Sequence, residues 1–181
     1  MAPDSPHHLA EELDMTEEHT RRGAVTPSVQ AVIEFLRYAQ TSYRLVDHEP
    51  VMSAAAEART THVPPDQVAK TIVLDDGANR VIAAIPASQR LDLHKLRRLL
   101  NATRRLRLAR EDRIARDFAE LEVGAIPPFG PRLPDTEVID RRLLEHDRIL
   151  CAAGDHRHGV IVDPRDVVRM TAARTADICQ D

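Results

Sequence analysis

The sequence predicts a mixed α/β fold, in the α+β sense, on three observations. Segments of strand and helix character intermix along the chain without a regular strand–helix–strand period. Residues 68–74 are apolar or β-branched except for Lys70 and Thr71. They are bounded by Pro64-Pro65 and Asp75-Asp76-Gly77, the pattern of a buried strand. A second apolar run, residues 80–85, follows across Asp76-Gly77-Ala78-Asn79, which is a hairpin signal. The 181 residues suit one domain with a sizeable core.

Taken in order, residues 1–25 are polar and acidic without apolar periodicity, and they read as a disordered tail ahead of a single domain over residues 26–181. Thr26-Pro27 supplies an N-cap hydroxyl and a proline at the first helical position. Val29, Val32, Ile33 and Leu36 then recur at helical spacing, so a helix is expected to about Gln40. Residues 43–48 read as a strand. Ser53 caps a second helix, with Glu57 near the reciprocal capping position. Val63-Pro64-Pro65-Asp66 gives a short helical turn before Lys70. After the hairpin, Asp92 caps a helix over residues 93–100, residues 104–108 alternate as a strand, and residues 110–118 form a helix. Residues 121–126 are expected as a strand leading into Pro127-Pro128-Phe129-Gly130, and residues 137–139, 149–152 and 159–162 as short strands. Asp163-Pro164 opens the last helix, to about Met170, and residues 176–179 close the chain.

The formal net charge of −4 resides in the tail, because the acidic and basic residues beyond residue 25 balance. Global charge therefore argues for no particular partner. Trp is absent and aromatics are 3%, which disfavours a platform that stacks several bases. Cys151 and Cys179 sit in apolar company without a CxxC, as small core residues of a reducing compartment do. No apolar run reaches membrane-spanning length and the N-terminus lacks a secretory pattern, so a cytoplasmic location without membrane partners is expected.

Lys70 is the residue that stands out. Of 25 Lys and Arg residues only Lys70 and Lys95 are lysine, so arginine is the generic surface cation of this chain. A lysine in an apolar strand snorkels to the surface or provides a compact point charge at a site. Beside Thr71 and His48 it could hold a phosphate or polarise an oxyanion. Three further stretches carry chemical potential. Gly124-Ala125-Ile126-Pro127-Pro128-Phe129-Gly130 makes a rigid loop whose backbone a ligand can approach, or simply a turn. The stretch from Ala152 to Gly159 places Asp155, His156 and His158 after small residues. A metal reading of those three is possible, but no HExxH or second Cys/His cluster accompanies them. Between Arg90 and Arg116 ten basic residues face three acidic ones, with Arg97, Arg98, Arg104 and Arg105 among them. That run is a phosphate-tracking surface or a solvated face matched by acidic helices.

The order of these motifs resembles the YbaK/EbsC family, relatives of the editing domain of prolyl-tRNA synthetase. The resemblance rests on Asp47-His48-Glu49-Pro50, the alanine-rich helix with Glu57, Val68-Ala69-Lys70-Thr71, Gly124-x-x-x-Pro128 with Phe129-Gly130, Ala153-Gly154, and Asp163-Pro164-x-Asp166-Val167. It covers about residues 28–180. It implies a mixed sheet, partly closed like a barrel and flanked by helices. It also implies hydrolysis of the ester of a mischarged aminoacyl-tRNA, with neither metal nor cofactor. In that picture Lys70 grips the tRNA 3′ end, and the Gly124 loop and the backbone of Ala153 and Gly154 stabilise the oxyanion. His48, Thr71, Gly124, Pro128, Phe129, Asp155, His156 and His158 bind substrate. The implied partners are aminoacyl-tRNA, contacted by Arg97, Arg98, Arg104 and Arg105, and an aminoacyl-tRNA synthetase, with no role for DNA. A non-catalytic tRNA- or nucleotide-binding module of the same fold is the alternative. Val46, Pro127, Ala152 and Ala153 depart from members that act on Cys-tRNA, which argues against that specificity.

Overall fold

The computed structural model describes residues 24–102, 106–130 and 136–181. The expected acidic tail falls almost wholly outside them, as do Arg104 and Arg105. The described residues form five α-helices, α1 (Pro27–Tyr38), α2 (Ala54–Thr61), α3 (Leu93–Leu100), α4 (Glu111–Asp117) and α5 (Pro164–Thr171). Eight strands intersperse them: β1 (Tyr43–Asp47), β2 (Ala69–Asp75), β3 (Arg80–Pro86), β4 (Arg107–Leu108), β5 (Thr136–Asp140), β6 (Ile149–Ala152), β7 (His158–Val162) and β8 (Arg174–Ala176).

The mixed α/β architecture agrees with the sequence, but the strands divide into two open sheets and do not close into a barrel. One is antiparallel in the order β1-β7-β6, and the other is mixed in the order β4-β2-β3-β5-β8. A parallel bridge between Val68 and Leu150 joins their borders. The main core fills the space between them: Ala69, Ala84 and Ile139 of the larger sheet meet Cys151, Val160 and Val162 of the smaller, with Val29, Val32, Ile33 and Leu36 of α1. The opposite face of the larger sheet packs Leu96 of α3 and the C-terminal residues Ile178 and Cys179. Burial of this apolar surface is the main favourable term in forming the two layers.

The local rules hold where they are strongest. Thr26 caps α1, its hydroxyl accepting from the Val29 N–H, and Asp92 caps α3 through the N–H groups of His94 and Lys95. In the β2–β3 hairpin the Asp76 carboxylate accepts from the Ala78 and Asn79 amides, and Gly77 takes a φ of 99°. Two expectations fail. Residues 121–126 form turns and not a strand, because Gly124 adopts a φ of 89° that breaks the extended run. Glu57 does not complete a capping box. Ser53 caps α2 by accepting from the Ala56 N–H, so Ala56 holds the third helical position and Glu57, one residue further on, turns inward.

Glu137 sits in β5, opposite Ile82 of β3, only 5% exposed and with neither carboxylate oxygen hydrogen-bonded. Burial pushes its pKa up to about 8. The folded state therefore binds this proton more tightly than the unfolded chain. The associated stability is fully present below about pH 4.5 and is lost as pH rises toward about 8. Glu137→Gln is expected to abolish that loss, which is on the order of 3–5 kcal/mol. Denaturant unfolding of both proteins at pH 5 and pH 8.5 checks this. A wild type as stable at pH 8.5 as at pH 5 would contradict it.

Candidate active site

A cavity of about 220 Å3 opens where the two sheets meet. Its wall includes His48, Met52, Ser53, Glu57, Lys70, Thr71, Gly124, Ala125, Ile126, Asp155 and His156. Five separate segments thus converge: the end of β1, the start of α2, the first residues of β2, the 121–126 turn and the β6–β7 loop. Of the sequence-predicted residues the cavity gathers Lys70, Thr71, His48, Gly124, Asp155 and His156.

Lys70 lies in β2 opposite Ile85 and is half-buried. Its Nζ donates to the Gln89 carbonyl at 2.7 Å. Burial is the largest cause that pulls its pKa below the ordinary lysine value, with Arg90 adding like-charge repulsion. The lysine is held by the turn after β3, and its other N–H donors can serve a ligand.

The β6–β7 loop is fixed by Asp155. Its carboxylate accepts from the Thr26 hydroxyl at 2.8 Å, from the amides of Arg157 and His158, and from His158 Nδ1. Burial works to raise the Asp155 pKa, but these donors outweigh it and the pKa is lowered. His158 is itself buried, with Nε2 3.7 Å from Asp47, so it braces the loop against β1 and stands behind the cavity wall. His156 turns the other way. Its amide donates to Glu122 Oε2 at 2.9 Å, and its ring covers Gly124, where an added Cβ would lie 3.4 Å from its Cε1. Among the described residues no group of three or more His, Cys, Asp and Glu is arranged to hold a metal ion.

His48 and Glu57 form a buried pair in the wall. The His48 Nδ1 meets the Glu49 carbonyl at 2.8 Å, and its Nε2 stands 3.5 Å from Glu57 Oε1. Both of those facing atoms are buried without a hydrogen-bond partner. Burial opposes the imidazolium, but Glu57 and the Glu49 carbonyl outweigh it, and the His48 pKa is raised. Gly159 makes room for the carboxylate, since a Cβ there would come within 2.8 Å of Glu57 Oε1. Sequence reasoning assigned neither Glu57 nor Gly159 to the site. The available signal was a single acid among the alanines of α2 and a glycine inside an apolar strand.

Several expected site residues have other work. The Ala153 amide donates to the His158 carbonyl and the Gly154 amide to the Ala125 carbonyl, both at 3.0 Å, so neither is available to an oxyanion. Ala153 is wholly buried. Phe129 is 1% exposed and stacks on Phe35 in the main core, and Pro128 beside it is buried away from the cavity. The Gly124 amide makes no hydrogen bond among the described residues. On the basic face, Arg97 donates through Nε and Nη2 to the Leu106 carbonyl, bracing the end of α3. Arg113 faces Asp75 and Asp117, and Arg80 faces Asp117 while covering the Phe118 ring. Acids thus match only part of that face, and Arg90, Arg98, Arg107 and Arg116 are exposed.

Residues 48–170 match the model of the aminoacyl-tRNA editing domain. The prolyl-tRNA editing protein ProX of Acetoanaerobium sticklandii is 26% identical over 150 residues, covering 80% of this chain and 90% of that protein. Among solved structures, a candidate trans-editing enzyme for prolyl-tRNA synthetase superposes with a TM-score of 0.78 at 22% identity, over 87% of this chain and all of that one. A hypothetical protein superposes with a TM-score of 0.74 at 25% identity, over 83% of this chain and 99% of that one.

Proposed function

The chain belongs to the aminoacyl-tRNA editing domain family, and on that premise we propose that it hydrolyses the ester joining a wrongly attached amino acid to the 3′ end of a tRNA. The observation that carries this reading is the convergence of Lys70, Gly124 and the His48–Glu57 pair on one cavity of about 220 Å3. That space suits an aminoacyl group and the end of a terminal adenosine.

An ester needs little leaving-group help, so positioning and electrostatic stabilisation can carry most of the acceleration. Lys70 anchors the 3′ end and places its ammonium beside the developing oxyanion. The Gly124 amide is the backbone donor, in place of the engaged amides of Ala153 and Gly154. Water, or a hydroxyl or thiol of the aminoacyl group, adds to the carbonyl. Collapse of the tetrahedral intermediate breaks the acyl–oxygen bond, and the ribose oxygen leaves with a proton. His156, Asp155 and Thr71 shape the remaining wall. Of the four arginines expected to contact tRNA, Arg98 is the exposed one among the described residues, and it meets tRNA phosphates. The reaction proceeds without a metal, in the cytoplasm where charged tRNA resides. Kinship with a prolyl-tRNA editing protein makes tRNA for proline the first carrier to examine.

Purified protein offered a panel of mischarged tRNAs, centred on proline tRNA bearing alanine or cysteine, should deacylate at least one about tenfold or more above the spontaneous rate. A chelator should leave that rate unchanged. Because the Ala153 and Gly154 amides are engaged, a non-catalytic tRNA-binding module is the second reading. Tight tRNA binding with no turnover across the panel would favour it.

A further inference from the structure

Five charged or titratable side chains face the cavity: Lys70 from β2, His48 from the end of β1, Glu57 from α2, and Asp155 and His156 from the β6–β7 loop. Their hydrogen bonds separate them. Lys70 is held by the Gln89 carbonyl, Asp155 accepts from Thr26, Arg157 and His158, and the His156 ring lies 3.6 Å from Glu122. Glu57 is the carboxylate of this wall whose Oε1 accepts no hydrogen bond, although its side chain is only 7% exposed.

The arrangement around it sets a charge requirement. The His48 Nδ1 faces a carbonyl, which only accepts, so Nδ1 carries a hydrogen and Nε2 is the atom turned toward Glu57. Two acceptors 3.5 Å apart in a buried setting repel unless a proton or another cation lies with them. In the free protein that cation is a proton associated with the pair. The substrate brings another. An aminoacyl ester carries an ammonium on the carbon next to the reacting carbonyl. The cavity that receives the carbonyl near Lys70 and Gly124 must therefore receive the ammonium close by.

We propose, building on the hydrolase reading above, that Glu57 is the receptor for the substrate's α-ammonium, so that the site accepts aminoacyl esters with a free α-amino group and rejects N-acylated ones. Gly159 is part of the device, because any side chain there would drive Glu57 off its seat. Glu57 is a specificity residue here, and His48 positions it.

The experiment compares two forms of the same mischarged tRNA, one with a free α-amine and one N-acetylated. Single-turnover rates of the wild type are corrected for each ester's spontaneous hydrolysis. The free amine should be preferred by at least about tenfold, the size expected for a hydrogen bond to a charged group. In Glu57→Gln the ratio of the free-amine rate to the N-acetyl rate should fall from at least about tenfold to near one. Equal wild-type rates on the two substrates would overturn this proposal while leaving the hydrolase reading standing, and that comparison requires no variant to fold. Retention of the full preference by Glu57→Gln would also overturn it. Deacylation of neither form, nor of any other member of the panel, would remove the hydrolase reading itself.

Discussion

Replacing Lys70 by alanine is expected to lower single-turnover deacylation by about 100-fold or more, the scale seen when one oxyanion or anchoring donor is removed. The fold should persist, because the lysine is half-buried and its one hydrogen bond is to the Gln89 carbonyl at the cavity edge. Thermal unfolding of Lys70→Ala should therefore lie close to the wild type, which separates lost chemistry from lost structure. Lys70→Arg should not restore the rate. The guanidinium is a planar fork, and the space beside Gln89 accommodates a compact ammonium on a straight stem. Arg98→Ala, on the exposed face of α3, should change the rate only a few-fold and mainly through tRNA affinity, increasingly so at low salt. Full activity in Lys70→Ala would show that the cavity works without its cation.

The second large effect is expected at Gly154. Its φ of 102° lies in the region that side chains disfavour, and a Cβ there would meet Leu121 Cδ2 at 3.0 Å and the Ser28 carbonyl oxygen at 3.2 Å. The same residue ties two loops together. Its amide donates to the Ala125 carbonyl, and its carbonyl accepts from the Glu122 amide. Gly154→Ala should cost about 2–3 kcal/mol, or roughly 4–10 °C in Tm. Activity should fall further than stability explains, because the displaced partner is the turn that carries Gly124. Kinetics measured well below the unfolding transition would reveal this as a drop in kcat. A Gly154→Ala protein with wild-type kcat and a lowered Tm would confine Gly154 to a purely structural role.

What could be read from the sequence, and what could not, follows from the range of the interactions involved. The helix starts at Thr26-Pro27, Ser53 and Asp92 and the hairpin around Asp76-Gly77 are governed by contacts within a few residues, and these local patterns were legible. Lys70 was legible because arginine serves elsewhere as the generic cation. The split into two open sheets depends on the Val68–Leu150 border, a contact between distant segments, and no local pattern encodes it. The family resemblance implies a substrate-binding Phe129, yet its ring stacks on Phe35, far away in α1. The engagement of the Ala153 and Gly154 amides also depends on contacts that their own spacing does not reveal. Small residues do leave the backbone open, but the His158 carbonyl takes the Ala153 amide and the Ala125 carbonyl of the neighbouring turn takes the Gly154 amide. Glu57 was hidden by a one-residue offset from the capping position, so that a surface role suggested by spacing became a buried one beside His48.

Every step proposed for the reaction requires the aminoacyl end of tRNA to enter the cavity between Lys70, Gly124 and Glu57. The most direct test is a crystal structure with an adenosine whose 3′-oxygen is replaced by nitrogen, so that the amino acid is held by an amide that cannot be hydrolysed. The expected result is the amide carbonyl within hydrogen-bond distance of Lys70 Nζ or the Gly124 amide, with the α-ammonium against Glu57. An analogue bound outside this cavity, for example along the arginine face of α3, would contradict this placement and the mechanism built on it.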